Sequence, residues 1–305
     1  MRTDQQLPIT VLVAVKNEEA NLPKCLASLS RAERIILLDS QSQDATNEIA
    51  TSLGAEIVQF HYSGGYPKKR QWGLNELDIS TEWVLLLDAD EVVPQLLWDE
   101  IGRAISEPGG PEAFLITKAF HFLGRRFRFG GFSHSAVLLF RKGRAEFEEL
   151  ESSIATTHDM EVHERVIVDG TVGVISTPLI HEDFKGLTAY IDRHNQYSSW
   201  EAGVRARGFR ARRYGKKTIT PRLFGNTQER RRFLKIIAVR MPFEPTFWFL
   251  YHYVFRLGFL EGRRGLIAAQ IRASYISQAR AKLFELEYVR NSKTECIDDQ
   301  RDPRD

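Results

Sequence analysis

Four short apolar runs, residues 9–15, 34–38, 56–60 and 83–87, alternate with stretches of helical spacing over the first part of the chain, and this alternation is what most constrains the fold. Parallel strands cannot be joined by a tight turn, so strand, crossover and strand in repetition imply a parallel sheet of the α/β class. Asp44-Ala45-Thr46 ahead of 47–53, with Gly54 behind, has the cap and the stop of a helix, and Pro94 suits the first turn of another. In an open parallel sheet, ligands sit beyond the carboxyl ends of the strands. The polar residues at those ends are Asn17, Glu18, Asp39, Asp88 and Asp90.

Beyond Pro111 the segments shorten and become rich in Phe, Gly and Arg, as in Phe122-Leu123-Gly124-Arg125-Arg126-Phe127, which signals hairpins and a mixed set of strands. A helix is expected from Gly186 to about Val204, and long helices from Arg230 onward. With 305 residues there is room for one large domain and a smaller appendage. The expected division is 1–220 for an α/β catalytic domain, 221–291 for a basic, aromatic helical appendage and 292–305 for a disordered tail. Hydrophobic residues at 43% and charged residues at 27% exclude extensive disorder in the rest.

Cys25 and Cys296 are the only cysteines, which excludes a disulfide framework and a cysteine-rich zinc site and fits a reducing compartment. The apolar start, Leu7 to Val15, is short, runs into Lys16-Asn17-Glu18-Glu19 and has no small-residue cleavage site. It reads as a first strand, and a cytoplasmic location is expected. Net charge is only +2, yet between Arg205 and Arg240 about a dozen Lys and Arg face one acid, Glu229, which suits an anionic partner. The aromatic run 246–255 is bounded by Pro242, Glu244, Pro245, Arg256 and Glu261. A bilayer span needs about 20 apolar residues, so this run either lies in the membrane interface or packs as a helical hairpin on the domain. Attachment to an anionic membrane surface, on the inner face of the cytoplasmic membrane, is the expectation adopted.

Asp88-Ala89-Asp90-Glu91 closes the fourth strand. Two carboxylates in D-x-D spacing at a strand end can hold one hard divalent cation, Mg2+ or Mn2+, against a diphosphate. Acidic triplets are common on surfaces, and it is the place after a fourth βα unit that gives this one weight.

The segment after the first strand, Asn17-Glu18-Glu19, and the one after the second, Asp39-Ser40-Gln41-Ser42-Gln43-Asp44-Ala45-Thr46, resemble the N-E-E and D-S-x-S-x-D-x-T signatures of family 2 glycosyltransferases, with the D-A-D-E motif downstream. Pro67-Lys68-Lys69-Arg70-Gln71-Trp72-Gly73-Leu74 resembles the K-x-Q-W-x-L helix of the bacterial lipopolysaccharide-core glucosyltransferases in that family. The likeness continues through Gly130-Gly131-Phe132, Leu139-Phe140-Arg141-Lys142, His163-Glu164-Arg165 and Leu179-Ile180-His181. It departs at Ser133-His134, where an aromatic-proline pair is usual, and acceptor identity stays open there.

The resemblance implies a GT-A fold and an inverting transfer of sugar, UDP-hexose being the leading donor, to a lipid-linked saccharide of the cell envelope, with no nucleic acid as partner. It places Asn17, Glu18 and Asp39 on the nucleotide, Asp90 on the metal, Asp88 on ribose or metal, and Lys69 and Arg70 near the donor phosphates. For Lys69 and Arg70 the alternative is a solvated helix start. For Asp39 the alternative is a turn, and for Asp44 a turn and helix cap is the preferred reading. Glu164 stands where the resemblance puts the general base that takes the acceptor proton. It is also a candidate structural partner of Arg165, with Asp169, Glu182 and Asp183 next in line as bases. His181 stands where many GT-A enzymes have a metal or diphosphate contact, against the ordinary structural role of a lone histidine. Two further readings are a sugar nucleotidyltransferase, which lacks its glycine- and arginine-rich N-terminal loop here, and a catalytically inactive membrane-associated scaffold.

Overall fold

A computed structural model describes residues 5–62, 67–147, 165–183, 185–208, 221–225 and 227–298. The first half alternates as expected: β1 (Leu7–Val15), α1 (Leu22–Ala27), β2 (Ala32–Asp39), α2 (Thr46–Ser52), β3 (Glu56–Gln59), α3 (Lys69–Glu76) and β4 (Trp83–Asp88). β1 pairs in parallel with both β2 and β4, and β3 adds to β2. Val11, Leu12, Val13, Leu37, Leu38, Leu85 and Leu87 are sealed from solvent, and that near-continuous burial is what a parallel strand covered on both faces requires. Gly54 sits at φ +75° behind α2, the left-handed stop that its sequence position announces.

Past β4 come β5 (Glu91–Val92), α4 (Gln95–Ile105), β6 (Ala113–Phe122), β7 (Arg125–Arg126), β8 (His134–Arg141), β9 (Ala145–Phe147), β10 (Val166–Val168) and β11 (Val172–His181). The main sheet runs β3-β2-β1-β4-β8-β6-β11-β5, with β7 on β6, and β9 with β10 forms a separate ribbon. β8 is antiparallel to β4 and to β6, whereas β11 is parallel to β6. A parallel first half thus continues into a mixed half within one sheet, which is the GT-A fold the resemblance implies. Pairing β8 against β4 brings its first residue, His134, to the carboxyl end of β4.

The C-terminal helices are α5 (Gly186–Gly208), α6 (Thr227–Val239), α7 (Glu244–Leu250) and α8 (Gly262–Asp298), with a wider turn at Tyr251–Phe255 and a tight one at Gly258–Glu261. They correct three expectations. Residues 292–298 continue α8 instead of forming a tail, and 299–305 lie outside the described residues. Arg205, counted in the basic stretch, is buried: it donates to Glu201 at 2.9 Å and to Glu244 at 2.8 and 3.1 Å, so its charge is consumed inside the fold. The aromatic run also divides, because the widened turn re-phases it. His252 points inward, its Nδ1–H donating to Gly130 O at 2.6 Å and its ring stacking on Phe132 at 4.6 Å, while Phe243 and Phe255 remain 75% and 73% exposed.

The segment is therefore docked on the domain along one face and open along the other. Phe122 and Phe127 from the β6–β8 region join Ala268 of α8 in a second core, flanked by Phe120, Phe132 and Tyr190. The loop leading into β8 is held closely here. Gly130 has φ +85°, and a Cβ there would lie 2.6 Å from the Phe132 ring, so no other residue fits without a shift. Its N–H donates to Arg256 O at 2.8 Å, and Glu261 Oε1 accepts from the N–H groups of Arg128 and Phe129 at 2.7 and 2.9 Å. Among the described residues no helix is long and apolar enough to cross a membrane.

Candidate active site

The site is assembled by strand register. β11 ends antiparallel to β5 with His181 opposite Glu91, which sets the imidazole beside the acidic motif at the end of β4. His181 Nδ1 lies 3.4 Å from Glu91 Oε1, and Nε2 lies 3.6 Å from Asp90 Oδ2. One ligand atom from each of Asp90, Glu91 and His181 falls within 4.8 Å of the others. Glu182 N–H donates to Asp90 O at 3.0 Å and fixes the backbone there. The second carboxylate oxygen of Asp90, Oδ1, is buried and has no hydrogen-bond partner. A buried, unpartnered carboxylate oxygen beside an imidazole and a second carboxylate is a donor set that fits a divalent cation.

Asp88, expected at ribose or metal, faces two cations: Arg70 donates to Oδ1 and Lys118 Nζ to Oδ2 at 2.8 Å. Lys118, buried in the middle of β6, also reaches Glu91 Oε1 at 2.5 Å, and Glu91 Oε2 accepts the Asp88 N–H at 2.9 Å. Burial opposes ionisation of Asp88, but Arg70 and Lys118 outweigh it and hold the carboxyl far below the usual range. Glu91 is likewise lowered, Lys118 overcoming its burial. Among the described residues no lysine or arginine pairs with Asp90. Burial, helped by the charges of Asp88 and Glu91 and only partly offset by His181, raises it to about 6. His181, despite its burial, is held up at about 9 by Asp90 and Glu91. Without a metal, then, Asp90 and His181 share a proton-rich environment that a cation would displace.

The loops after β1 and β2 are stitched together. Asn17 N–H donates to Ser42 Oγ at 2.8 Å, Gln43 N–H to Asn17 Oδ1 at 2.8 Å, and Glu18 N–H to Thr46 Oγ1 at 2.7 Å. Asn17 and Gln41 both take left-handed backbone, φ +54° and +60°, to make this junction. Glu18 Oε1 pairs with Lys185 at 2.7 Å and Oε2 accepts from Asn21 at 2.8 Å. Asn21 also reaches Asp183 at 3.2 Å, which Arg193 pairs, so the loop after β11 is tied to the loop after β1.

Asp39 is fully buried and both its oxygens are engaged, by Ser42 N–H and Oγ at 3.1 and 2.5 Å and by Gln59 at 2.9 Å. Its contacts are those of the turn reading. Asp44 caps its turn as preferred, accepting from Thr46 N–H at 3.1 Å. Lys69 and Arg70 are not a solvated helix start: Lys69 donates to Val15 O at 3.0 Å, and Arg70 meets Asp88. Glu164, with His163, lies outside the described residues. Asp169 is exposed just after β10 and paired with Arg144 at 3.1 Å.

Lys118 and the place of Glu91 beside His181 are not evident in the sequence alone. A lone lysine inside the ten-residue apolar strand Ala113–Phe122 was the available signal. Glu91 needed the β5–β11 register, which no local pattern carries.

The glycosyl transferase family 2 model matches residues 10–109, which include both stitched loops and the acidic motif. A lipopolysaccharide core biosynthesis glycosyltransferase, LpsC, of Rhizobium meliloti (strain 1021) is 26% identical over 282 residues, 90% of this chain and 94% of that one. An uncharacterized glycosyltransferase of Rickettsia typhi is 26% identical over 91% of this chain and 87% of its own. Among solved structures, glucosyl-3-phosphoglycerate synthase from Mycobacterium tuberculosis, in complex with Mn2+, UDP and glucosyl-3-phosphoglycerate, is 25% identical over 38% of this chain and 45% of that one, with a TM-score of 0.30. Over residues 10–109, which hold the acidic motif and the two stitched loops, the chain is similar to the family 2 glycosyl transferases, and a lipopolysaccharide core glycosyltransferase resembles it over most of its length.

Proposed function

We propose that the chain moves a hexose from a UDP-sugar to a lipid-linked saccharide of the cell envelope, with inversion at the anomeric carbon. The observation that carries this reading is the unpartnered, buried Asp90 Oδ1 beside Glu91 and His181 at the carboxyl end of β4. Asp90, Glu91 and His181 would hold Mg2+ or Mn2+, which would supply positive charge for a departing diphosphate. Arg70 and Lys118 keep Asp88 and Glu91 ionised, and the joined loops after β1 and β2, with Asn17 and Glu18, form the nucleotide side. A direct contact from Asp39 to the nucleotide requires the Ser42 turn to open. Glu164 takes the proton from the acceptor hydroxyl as it attacks C1, in the role the resemblance assigns to it.

The test is UDP release from a panel of UDP-sugars in the presence of core-truncated lipopolysaccharide, with and without manganese. Release that needs both manganese and the acceptor is the expected result, and release that ignores both sinks the reading. Glu164→Gln is expected to keep UDP binding while transfer falls by roughly 10²-fold or more. Transfer at the wild-type rate in that variant moves the base elsewhere, with Asp169, Glu182 and Asp183 to be tried next.

The acceptor's lipid motivates a second expectation. Phe243, Phe255, Phe259 and Leu260 are exposed side by side with Arg256, Arg263 and Arg264 in the same stretch of chain. Apolar insertion and attraction to anionic lipid, about 1 kcal/mol per cation, act together on such a surface. The protein is expected to sediment with anionic vesicles, and Phe243→Ser with Phe255→Ser to reduce the bound fraction roughly tenfold or more, each ring contributing about 1.5–3 kcal/mol when buried. Equal recovery in the supernatant with anionic and neutral vesicles rejects membrane attachment.

A further inference from the structure

His134 is a histidine that the site described above does not use, and its surroundings give it a role. It opens β8 at the carboxyl end of β4 and stands directly opposite Lys118 of β6. Residues opposite one another in an antiparallel pair project from the same face of the sheet. The neighbouring pair, Thr117 and Ser135, checks this register, since their hydroxyls meet at 2.9 Å on the other face. Lys118 points from its face to Asp88 and Glu91, so His134 projects toward the same acidic cluster. In sheet order it lies beyond β4, away from the nucleotide loops of β1 and β2.

Structural histidines in this chain are recognisable by what they touch. His252 is bonded to Gly130 O and stacked on Phe132; His194 is bonded to Tyr190 O at 2.8 Å and lies 4.1 Å from the Tyr190 ring. The His134 side chain has no hydrogen bond, ion pair or ring contact among the described residues and is exposed to solvent. It is not among the ligand set of Asp90, Glu91 and His181. Desolvation by the groups packed around it, then the Lys118 and His181 charges, push it down to about 4, so the imidazole is neutral at physiological pH. A neutral imidazole offers one acceptor and one donor nitrogen, the complement of a sugar hydroxyl and a poor match for phosphate.

We propose that His134 is an acceptor-specificity residue, hydrogen-bonded to a hydroxyl of the incoming saccharide beside the acidic cluster. This rests on the transferase reading above. The probe is the core oligosaccharide released from core-truncated lipopolysaccharide by mild acid, used with the full chain and with His134→Phe and His134→Gln. In His134→Phe, UDP affinity with manganese and the slow release of UDP to water are expected to stay within about twofold of wild type. The KM for the oligosaccharide is expected to rise about tenfold, the scale of one hydrogen bond, with kcat little changed. His134→Gln, whose amide also accepts, is expected to recover part of that loss. An unchanged oligosaccharide KM in His134→Phe overturns the proposal, as does a KM that rises together with lost UDP affinity. If wild type turns over no UDP-sugar at all, the transferase reading fails on that result. Oligosaccharide binding measured by saturation-transfer NMR then decides His134 by itself: binding lost in His134→Phe supports it, and binding equal in the variant or absent from wild type overturns it.

Discussion

Asp90→Asn is expected to lower manganese-dependent transfer by about 10³-fold or more while the metal-free protein melts within about 3 °C of wild type, the shift that ~1 kcal/mol produces in a chain of this size. The two halves of this expectation have different causes. Losing the cation removes several kcal/mol of charge stabilisation from the transition state, whereas the carboxylate contributes little to packing. Its ionised form in fact costs the fold something. Asp90 is held at about 6, burial first and its acidic neighbours next, against an ordinary value of 3.8. An acid raised on folding binds its proton more tightly in the native state, so stability falls as pH rises from about 4 through 6, and above that the charge weighs against the fold. Asparagine removes that charge but leaves His181 with one carboxylate fewer, so the two effects on stability oppose each other. Differential scanning fluorimetry in chelator, alongside UDP release, checks both halves. A melting temperature that collapses with activity reassigns Asp90 to a structural role.

Lys118→Met is expected to destabilise the protein by about 3–5 kcal/mol, a drop of roughly 10 °C, because it strands two carboxylates that no longer have their ammonium. Glu91 is entirely buried, and Lys118 at 2.5 Å is the cation closest to it. The attribution is checked by a double-mutant cycle: Lys118→Met with Glu91→Gln should recover much of the loss, since the buried charge goes with its partner. A double variant no more stable than the single one would place the cost in strand packing and not in charge.

Much of the nucleotide-binding half was legible because its information is local. Runs such as Val84–Leu87 are short, apolar and bounded, and a parallel strand buried on both faces leaves that pattern in the chain. The carboxyl-end rule then picked out Asn17, Glu18, Asp88 and Asp90 without further help. What was not legible depends on contacts between distant segments. β11 lies parallel to β6, across most of the mixed half, and only that pairing together with β5 brings His181 to Glu91. The place of Lys118 between Asp88 and Glu91 follows from the same long-range register. Asp39 shows a different limit: an acid three residues before a serine builds its own turn, and the local hydrogen bonds of the Ser42 loop compete with any ligand for the same oxygens. Arg205 looked like surface charge because Glu244, which with Glu201 one turn away on the same helix buries its guanidinium, lies 39 residues on in α7.

Direct manganese titration, followed by the electron paramagnetic resonance signal of the free ion in the presence of UDP, bears most closely on the metal site. Wild type is expected to bind one ion, and Asp90→Asn and His181→Ala to lose at least tenfold in affinity, as removal of a ligand or its support does. Affinity in wild type should also rise with pH up to about 9, because the proton His181 holds until then must leave before its nitrogen can bind. Manganese bound as tightly by Asp90→Asn as by wild type, with the same pH dependence, would contradict the assignment of the acidic cluster as the cation site.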